Sequence, residues 1–210
     1  MEAPMALTIY GIPRSRALRT LGMAHELGSD YRMVEVAPGA DGSRKAEFLA
    51  INPNGHVPFV EDDGLVLWES LAINLHLARK HGGPLAPAGL EEESLAAMWT
   101  VWAVSELEPP AAQAMYHTFM LPEPDRVPGL KAAALQQVEA PLLVLEGALA
   151  KGDGFVMGGR FTVADLNLAC CVFYLRMNPE ALLDKPAIRD WYAAAMARPA
   201  AKAAFALRGD

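Results

Sequence analysis

Residues 52–70 read NPNGHVPFVEDDGLVLWES, and this stretch decides how the first part of the chain folds. It contains a Val57-Pro58 step, the turn sequence Asp62-Asp63-Gly64 and a Glu69-Ser70 pair. The turn sequence lies between two β-prone runs, residues 57–60 and 65–68, which is a strong hairpin signal. The Glu69-Ser70 pair follows where the second strand is predicted to meet a helix. Together the three features are suited to holding a peptide by its main chain and its α-carboxylate.

The residues around this stretch predict a mixed α/β domain over residues 1–82. Short apolar runs predict strands over 7–10 and 31–36, and apolar residues at helical spacing predict helices over 16–27, 44–51 and 71–81. With the hairpin in its place, the order becomes βαβαββα. A βαβ half followed by a ββα half indicates a mixed sheet.

The rest of the chain predicts a second, all-helical domain. Residues 83–90 are rich in Gly and Pro and are interpreted as a linker. Residues 91–210 show no convincing strand, and helices are predicted over 91–120, 130–151, 162–177, 186–196 and 200–207. Pro109-Pro110 is expected to kink or interrupt the first of these helices. The 162–177 segment is apolar almost all round, which is typical of a central helix.

Composition excludes several classes of function. The 210 residues are 52% hydrophobic and carry a net charge of −7, which argues against nucleic acid or an anionic membrane as partner. No apolar run is long enough to span a bilayer, and the N-terminus lacks the pattern of a signal peptide. The only two cysteines, Cys170 and Cys171, are adjacent, which argues against a disulfide framework and predicts a cytoplasmic protein. The histidines show no metal-ligand spacing, so no metal site is predicted.

The Val57-Pro58 step has two interpretations. A cis-proline would turn the chain sharply and fix the main-chain groups of Val57, which could then pair with an extended peptide. Alternatively, Pro58 is an ordinary trans proline at the start of an edge strand, and base rates alone favour this.

Glu69-Ser70 also has two interpretations. Backbone N–H groups at a helix start, with the Ser70 hydroxyl, form a carboxylate site, and Glu69 can accept from an ammonium group. In the alternative, Ser70 is a plain N-cap and Glu69 a solvated charge.

Ser15, in the sequence Arg14-Ser15-Arg16, lies between the first strand and the first helix. Its hydroxyl can donate to an anion, and a thiolate would benefit, because lowering a thiol pKa by ~2 units requires ~2.7 kcal/mol. The helix terminus, the hydroxyl and a nearby arginine together could supply this. The alternative is again an N-cap serine.

Taken in order, the Ser15 loop, the NPNGHVP motif, the WES motif and the helical second part resemble a cytosolic glutathione S-transferase. The resemblance is to serine-type, theta/zeta-like bacterial members and covers essentially the whole chain. It implies a thioredoxin-like glutathione-binding domain followed by the helical domain of the family.

The resemblance implies a role for each matching position. Ser15 matches the catalytic hydroxyl, Val57 the residue whose main chain pairs with the cysteinyl part of glutathione, and Pro58 the cis-proline. Glu69 and Ser70 match the pair that holds the γ-glutamyl end.

Further positions match less directly. His56 matches a position, often Lys or Gln, that contacts the glycyl end. Thr162 and Asp165 match a capping box that starts the central helix, which implies a role in folding. No cysteine lies beside Ser15, which disfavours mixed-disulfide chemistry. Tyr10 is a minor catalytic candidate, because tyrosine-type members use a tyrosine near this loop, yet it lies within the predicted strand.

The implied activity is conjugation of the glutathione thiolate to a small apolar electrophile, a detoxification reaction that needs no metal or prosthetic group. The resemblance also implies a homodimer. One alternative is a non-catalytic glutathione-binding or protein-interaction member, and another is a glutathione-dependent peroxidase or isomerase. An apolar co-substrate pocket is expected to involve Met115, Tyr116, His117 and Phe119.

Overall fold

The computed structural model describes residues 7–209, which divide into two compact units. One unit runs to Ala86 and takes in the chain again from Ala197, and the other is Pro87–Met196. This division differs from the helical domain expected over residues 91–210, because the last helix belongs with the first unit. A helical sequence pattern shows that a helix buries one face, but it does not show which partner covers that face.

The first unit contains a four-stranded sheet. Its elements before the second unit are β1 Leu7–Gly11, α1 Ala17–Leu27, β2 Arg32–Glu35, α2 Ala46–Leu49, β3 Phe59–Asp62, β4 Leu65–Trp68 and α3 Ser70–His81. This order confirms the predicted βαβαββα arrangement. The strand order is β2-β1-β3-β4, with β1 and β2 parallel and the other neighbours antiparallel. Asp63 and Gly64 form the β3–β4 turn with φ values of 49° and 83°, which confirms the hairpin.

The aromatic core of this unit includes Tyr10. The Tyr10 ring stacks on Phe59 with centroids 4.5 Å apart, and its hydroxyl donates to the Glu61 carboxylate over 2.9 Å. Burial, together with the bond to Glu61, raises the pKa of Tyr10. Tyr10 therefore lies in the core, as its place in the strand predicts, and its hydroxyl already has a partner.

The second unit is helical, and no strand occurs in residues 87–196, all of which are described. Its α-helices are α4 Gly89–Trp102, α5 Glu108–Met115, α6 Pro128–Lys151, α7 Val163–Val172 and α8 Pro186–Ala197, and α9 Pro199–Ala206 follows in the first unit. A π-helical turn, Ala103–Leu107, separates α4 from α5, so the two prolines fall in the first turn of α5. Proline has no backbone N–H, and this is tolerated in the first turn of a helix. The two prolines therefore interrupt the predicted helix at a point where a new helix begins. Of the helices in residues 7–209, none is long and apolar enough to cross a membrane.

The start of α7 confirms the predicted capping box. The Thr162 N–H donates to the Asp165 carboxylate over 2.9 Å, and the Thr162 side chain completes the box. The same carboxylate accepts from the Trp191 indole over 3.0 Å, which fixes α8 to this helix start. Burial raises the pKa of Asp165, against the opposing effect of these hydrogen bonds.

Candidate active site

Ser15 lies in the turn between β1 and α1, and its hydroxyl makes two local hydrogen bonds. It donates to the Ile12 carbonyl over 2.7 Å and accepts from the Ala17 N–H over 3.1 Å. The second bond satisfies one of the N–H groups that every helix start leaves open. The Ser15 hydroxyl therefore stabilises the turn that leads into α1, whose N-cap position is Arg16. Its side chain is also half-exposed, so a ligand can reach it.

Gly11, the last residue of β1, brings Ser15 and Val57 to the same place. A Cβ built on Gly11 would lie 3.8 Å from the Ser15 Oγ and 3.6 Å from the Val57 Cβ. It would also lie only 2.6 Å from the Ala17 Cβ, and the φ of Gly11 is 155°, so only glycine fits here. Gly11 could have been identified from the sequence, because it ends a predicted buried strand immediately before the loop that carries Ser15.

The Val57-Pro58 peptide bond is cis. This agrees with the resemblance and rules out the trans alternative. Within residues 7–209, the Val57 N–H and carbonyl make no hydrogen bond, while its side chain packs into the core. The main chain of Val57 is therefore open to pairing with an extended peptide. His56, the preceding residue, is exposed.

Two buried side chains hold the loop that precedes Val57. The Asn52 amide donates to the His56 carbonyl over 2.9 Å, and the Ser43 hydroxyl donates to the Gly55 carbonyl over 2.7 Å. Asn52 and Ser43 are only 2% and 1% exposed, so water does not compete for these bonds. The loop is thus set in place before any ligand arrives.

Helix α3 begins at Ser70, one residue before the predicted start at residue 71. Its N-cap position is Glu69, which has an unusual backbone conformation, so Ser70 is not the N-cap of the alternative interpretation. Glu69 has φ 72° and ψ 103°, a combination that costs a non-glycine residue about 1–3 kcal/mol. Backbone strain of this kind is concentrated at ligand-binding positions. The Glu69 side chain is exposed, whereas Ser70 is buried.

Arg19 lies behind Ser70, and no motif in the sequence points to it. Its guanidinium donates to the Ser70 Oγ over 3.4 Å, and Arg19 is only 6% exposed. Because a guanidinium can only donate, the hydroxyl hydrogen of Ser70 points to another acceptor. Arg19 is four residues after Ser15 and therefore on the same side of α1, which is the signal that could have identified it.

Helix α1 thus joins the predicted residues of the first unit. Ser15 precedes its first turn, Gly11 sets Val57 beside Ser15, and Arg19 within that first turn contacts Ser70.

Of the four expected pocket residues in the second unit, Tyr116 is exposed and the other three are partly or fully occupied by packing. Met115 is buried, and the His117 Nδ1 accepts from the Val127 N–H over 3.2 Å. The Arg176 guanidinium lies over the Phe119 ring, 4.6 Å from its centroid. The part of the chain that is described contains no group of three or more His, Cys, Asp or Glu side chains that could hold a metal ion.

Comparisons with known proteins identify the family. Residues 5–79 match the family model of the glutathione S-transferase N-terminal domain, and residues 125–194 match that of the C-terminal domain. Glutathione S-transferase 3 of Zea mays is 31% identical in an alignment of 205 positions that covers 92% of this chain and 90% of that protein. Glutathione S-transferase 1 of Triticum aestivum is 28% identical in an alignment of 209 positions that covers 91% of this chain and 90% of that protein.

A solved structure gives the same result. The theta class glutathione S-transferase from the citrus canker pathogen Xanthomonas axonopodis pv. citri, with glutathione bound, is 33% identical with a TM-score of 0.86. The match covers 95% of this chain and 97% of that one. These comparisons confirm the thioredoxin-like first domain, the helical second domain and, at the level of the family, a glutathione transferase that uses glutathione as its co-substrate. The chain belongs to the glutathione S-transferase family.

Proposed function

We propose that this enzyme is a serine-type transferase that binds glutathione extended along Val57 and joins its thiolate to a small apolar electrophile. Ser15 stabilises the thiolate, and Glu69 and Ser70 hold the γ-glutamyl end. The observation that carries this proposal is the convergence of Ser15, Val57 and Ser70 around the N-terminal end of α1.

The finer classification is part of the proposal. The bacterial relative with glutathione bound is a theta class protein, whereas the curated relatives above are plant enzymes. A zeta-like assignment has less support, because Arg14-Ser15-Arg16 stands where those members carry Ser-Ser-Cys.

The start of α3 suits a carboxylate. The Ser70 hydroxyl hydrogen and the first N–H groups of the helix are donors, and the helix dipole favours a negative charge there. The buried Arg19 guanidinium adds a full positive charge behind Ser70. The exposed Glu69 carboxylate, next in the chain, can accept from the α-ammonium group of the same γ-glutamyl residue.

The Ser15 hydroxyl stabilises the thiolate by exchanging one hydrogen bond for another. To donate to sulfur, it must give up the Ile12 carbonyl, while the Ala17 N–H continues to donate to its oxygen. The thiol proton is released to water. The sulfur lone pair then forms the new C–S bond, and the leaving group departs with the electrons of the bond that breaks.

The glycyl end has two candidate partners in this chain. His56 is the first, by resemblance. Arg44 is the second, because its Cγ would lie 2.9 Å from a Cβ built on Gly55, which sets its side chain against the loop before Val57. Both side chains are exposed, and a guanidinium pairs well with a carboxylate.

Three further assignments belong to the proposal. The domain boundary is a linker over residues 83–90. The location is the cytoplasm, which suits Cys170 and Cys171 because neither forms a disulfide. The assembly is a homodimer, and exposed apolar residues on β4 and α4 are candidates for its interface, with Trp68 42% and Val101 63% exposed. Trp68→Glu should then give a monomer in light scattering after size-exclusion chromatography, whereas a wild-type monomer would contradict the dimer.

The test of the activity combines binding and turnover. Calorimetry with glutathione should show a single site, and an activated aryl halide should be conjugated. Binding without turnover of any electrophile would favour the non-catalytic alternative. Turnover of peroxide or isomerisation substrates alone would favour the peroxidase or isomerase.

A further inference from the structure

The C-terminal segment, residues 197–209, belongs with the first unit and packs along α1. Its helix α9 contributes Ala200 and Ala204 to the buried surface, at 8% and 2% exposure. Small side chains allow two helices to approach closely, so α9 can pack closely against α1. The site described above begins at the N-terminal end of that helix.

Polar contacts tie this segment to both ends of α1. Near the C-terminal end, Arg198 donates to both oxygens of the Glu26 carboxylate, over 2.5 and 2.7 Å. Such a two-point pair fixes orientation as well as distance. Before the N-terminal end, the Arg14 Nε donates to the Arg208 carbonyl over 3.0 Å.

We infer that the C-terminal segment is a brace that positions the Ser15 loop for the reaction, with Arg14 and the Arg208 carbonyl as its positioning groups. This inference rests on the proposed function of Ser15. Arg14 and Ser15 are neighbours in the chain, and consecutive Cα atoms are only about 3.8 Å apart. A shift of Arg14 therefore moves the Ser15 hydroxyl, and catalysis is sensitive to displacements of about 1 Å.

The position of the two contacts distinguishes positioning from simple stability. The Arg198–Glu26 pair is more than two turns of α1 away from Ser15, whereas the Arg14–Arg208 bond is at the adjacent residue. Loss of the Arg14–Arg208 bond should therefore lower turnover while it changes the free energy of unfolding only slightly. Its acceptor is a main-chain carbonyl, which truncation removes and side-chain substitution does not.

The experiment is a double-mutant cycle on the full-length enzyme. One change ends the chain after Leu207, which removes the Arg208 carbonyl but retains α9, and the other is Arg14→Ala. Each alone should lower kcat by about 3- to 10-fold with the KM for glutathione changed less than about twofold. The combined variant should be no slower than the slower single variant, because both changes remove the same contact.

Two controls accompany the cycle. A chain that ends after Gly209 retains the Arg208 carbonyl, and Lys202→Ala removes one positive charge from the exposed face of α9. Both should keep the wild-type kcat. Additive losses in the cycle would show that Arg14 acts by its charge and not through the C-terminal segment, and would overturn the inference.

A second readout does not depend on activity. The Ala17 and Leu18 amides bond to the Ser15 hydroxyl and carbonyl, so their hydrogen exchange reports on the loop. Exchange at these amides should be faster in both variants of the cycle than in the wild type. Unchanged exchange would overturn the brace even if the wild type conjugates glutathione. Faster exchange in an enzyme without transferase activity would instead contradict only the proposed role of Ser15.

Discussion

Ser15 and Ser70 both lie at helix starts in the first unit, but their hydroxyl hydrogens are used differently. The Ser70 oxygen accepts from the buried Arg19, which leaves its hydrogen to donate to a ligand. The Ser15 hydrogen is donated to the Ile12 carbonyl. The carboxylate-binding end of the site, at Ser70, is therefore organised before glutathione binds. At the thiolate-binding end, the Ser15 hydroxyl must first give up its hydrogen bond to the Ile12 carbonyl. Binding should depend on the surroundings of Ser70 and turnover on those of Ser15, because only interactions gained in the transition state accelerate the reaction.

The largest effect expected is that of Ser15→Ala on turnover. The loss of a donor to a reacting anion should lower kcat by about 10- to 100-fold, with little change in the KM for glutathione. Because the hydroxyl also accepts from the first N–H of α1, the free energy of unfolding should fall by about 1 kcal/mol. Ser15→Thr is the control, since it retains the hydroxyl. Steady-state kinetics with an aryl halide measure kcat for both variants. Equal kcat values in Ser15→Ala and Ser15→Thr would show that the Ser15 hydroxyl takes no part in the reaction.

The next effect is that of Ser70→Ala on binding. Losing a hydrogen bond to the ligand carboxylate should raise the Kd for glutathione about 10-fold, because bonds to charged groups contribute about 1.5–3 kcal/mol. The kcat should stay close to that of the wild type. Arg19→Lys provides a check, since it retains the charge but not the planar group behind Ser70. Calorimetry gives the Kd, and a loss of kcat at unchanged Kd would reverse the proposed division of roles.

Glu69→Gly should move stability and binding in opposite directions. Glycine tolerates the φ of 72°, so the free energy of unfolding should rise by about 1 kcal/mol. The affinity for glutathione should fall about 5-fold, because the carboxylate that accepts from the ammonium group is lost. Urea denaturation and calorimetry measure the two quantities. A stable variant with full affinity would show that the strain at Glu69 does not serve binding.

The smallest effect on the site is expected from Asp62, which joins β3 to α3. Its side chain, 1% exposed, accepts from His76 over 2.7 Å and from Lys80 over 2.5 Å. Burial acts to raise the pKa of Asp62, but the hydrogen bonds from Lys80 and His76 outweigh it and lower that pKa below 3.8. A carboxyl with a lowered folded-state pKa stabilises the protein above its unfolded pKa, and this contribution is lost as the pH falls through the folded pKa.

Asp62→Asn should therefore reduce the free energy of unfolding at neutral pH by about 1–3 kcal/mol, with the difference from the wild type shrinking below about pH 4. The Kd for glutathione should rise no more than about twofold, because only the anchor of α3 is weakened and not its first turn. Denaturation curves across pH measure the first effect. A difference between the two proteins that is constant with pH would contradict the role of the Asp62 charge.

The parts of the fold that depend on local patterns could be predicted. The β3–β4 hairpin followed from Asp-Asp-Gly between β-prone runs, and the capping box from Thr162 and Asp165. A serine after a strand predicted the start of α3 to within one residue. Each of these features is decided by residues within a few positions of one another.

Contacts between distant residues could not be predicted in the same way. Arg19 is a charged residue on a helix with polar as well as apolar positions, so it is expected to be exposed, yet it is only 6% exposed and contacts Ser70 of α3. The positive φ of Glu69 goes against the preference of its residue type. The packing of α9 on α1 places residues 197–209 with the first unit, and periodicity does not specify that partner.

The most direct measurement of the central claim is the pKa of the glutathione thiol when it is bound. Titration of the thiolate ultraviolet absorbance gives this value for the wild type, Ser15→Ala and Ser70→Ala, each saturated with glutathione. The wild type should hold the thiol pKa below that of a free thiol, about 8.5 for cysteine. Ser15→Ala should raise the bound value by about 1 unit, which corresponds to about 1.4 kcal/mol, and Ser70→Ala should leave it unchanged. A bound pKa that is the same in the wild type and Ser15→Ala, or that rises only in Ser70→Ala, would contradict the account.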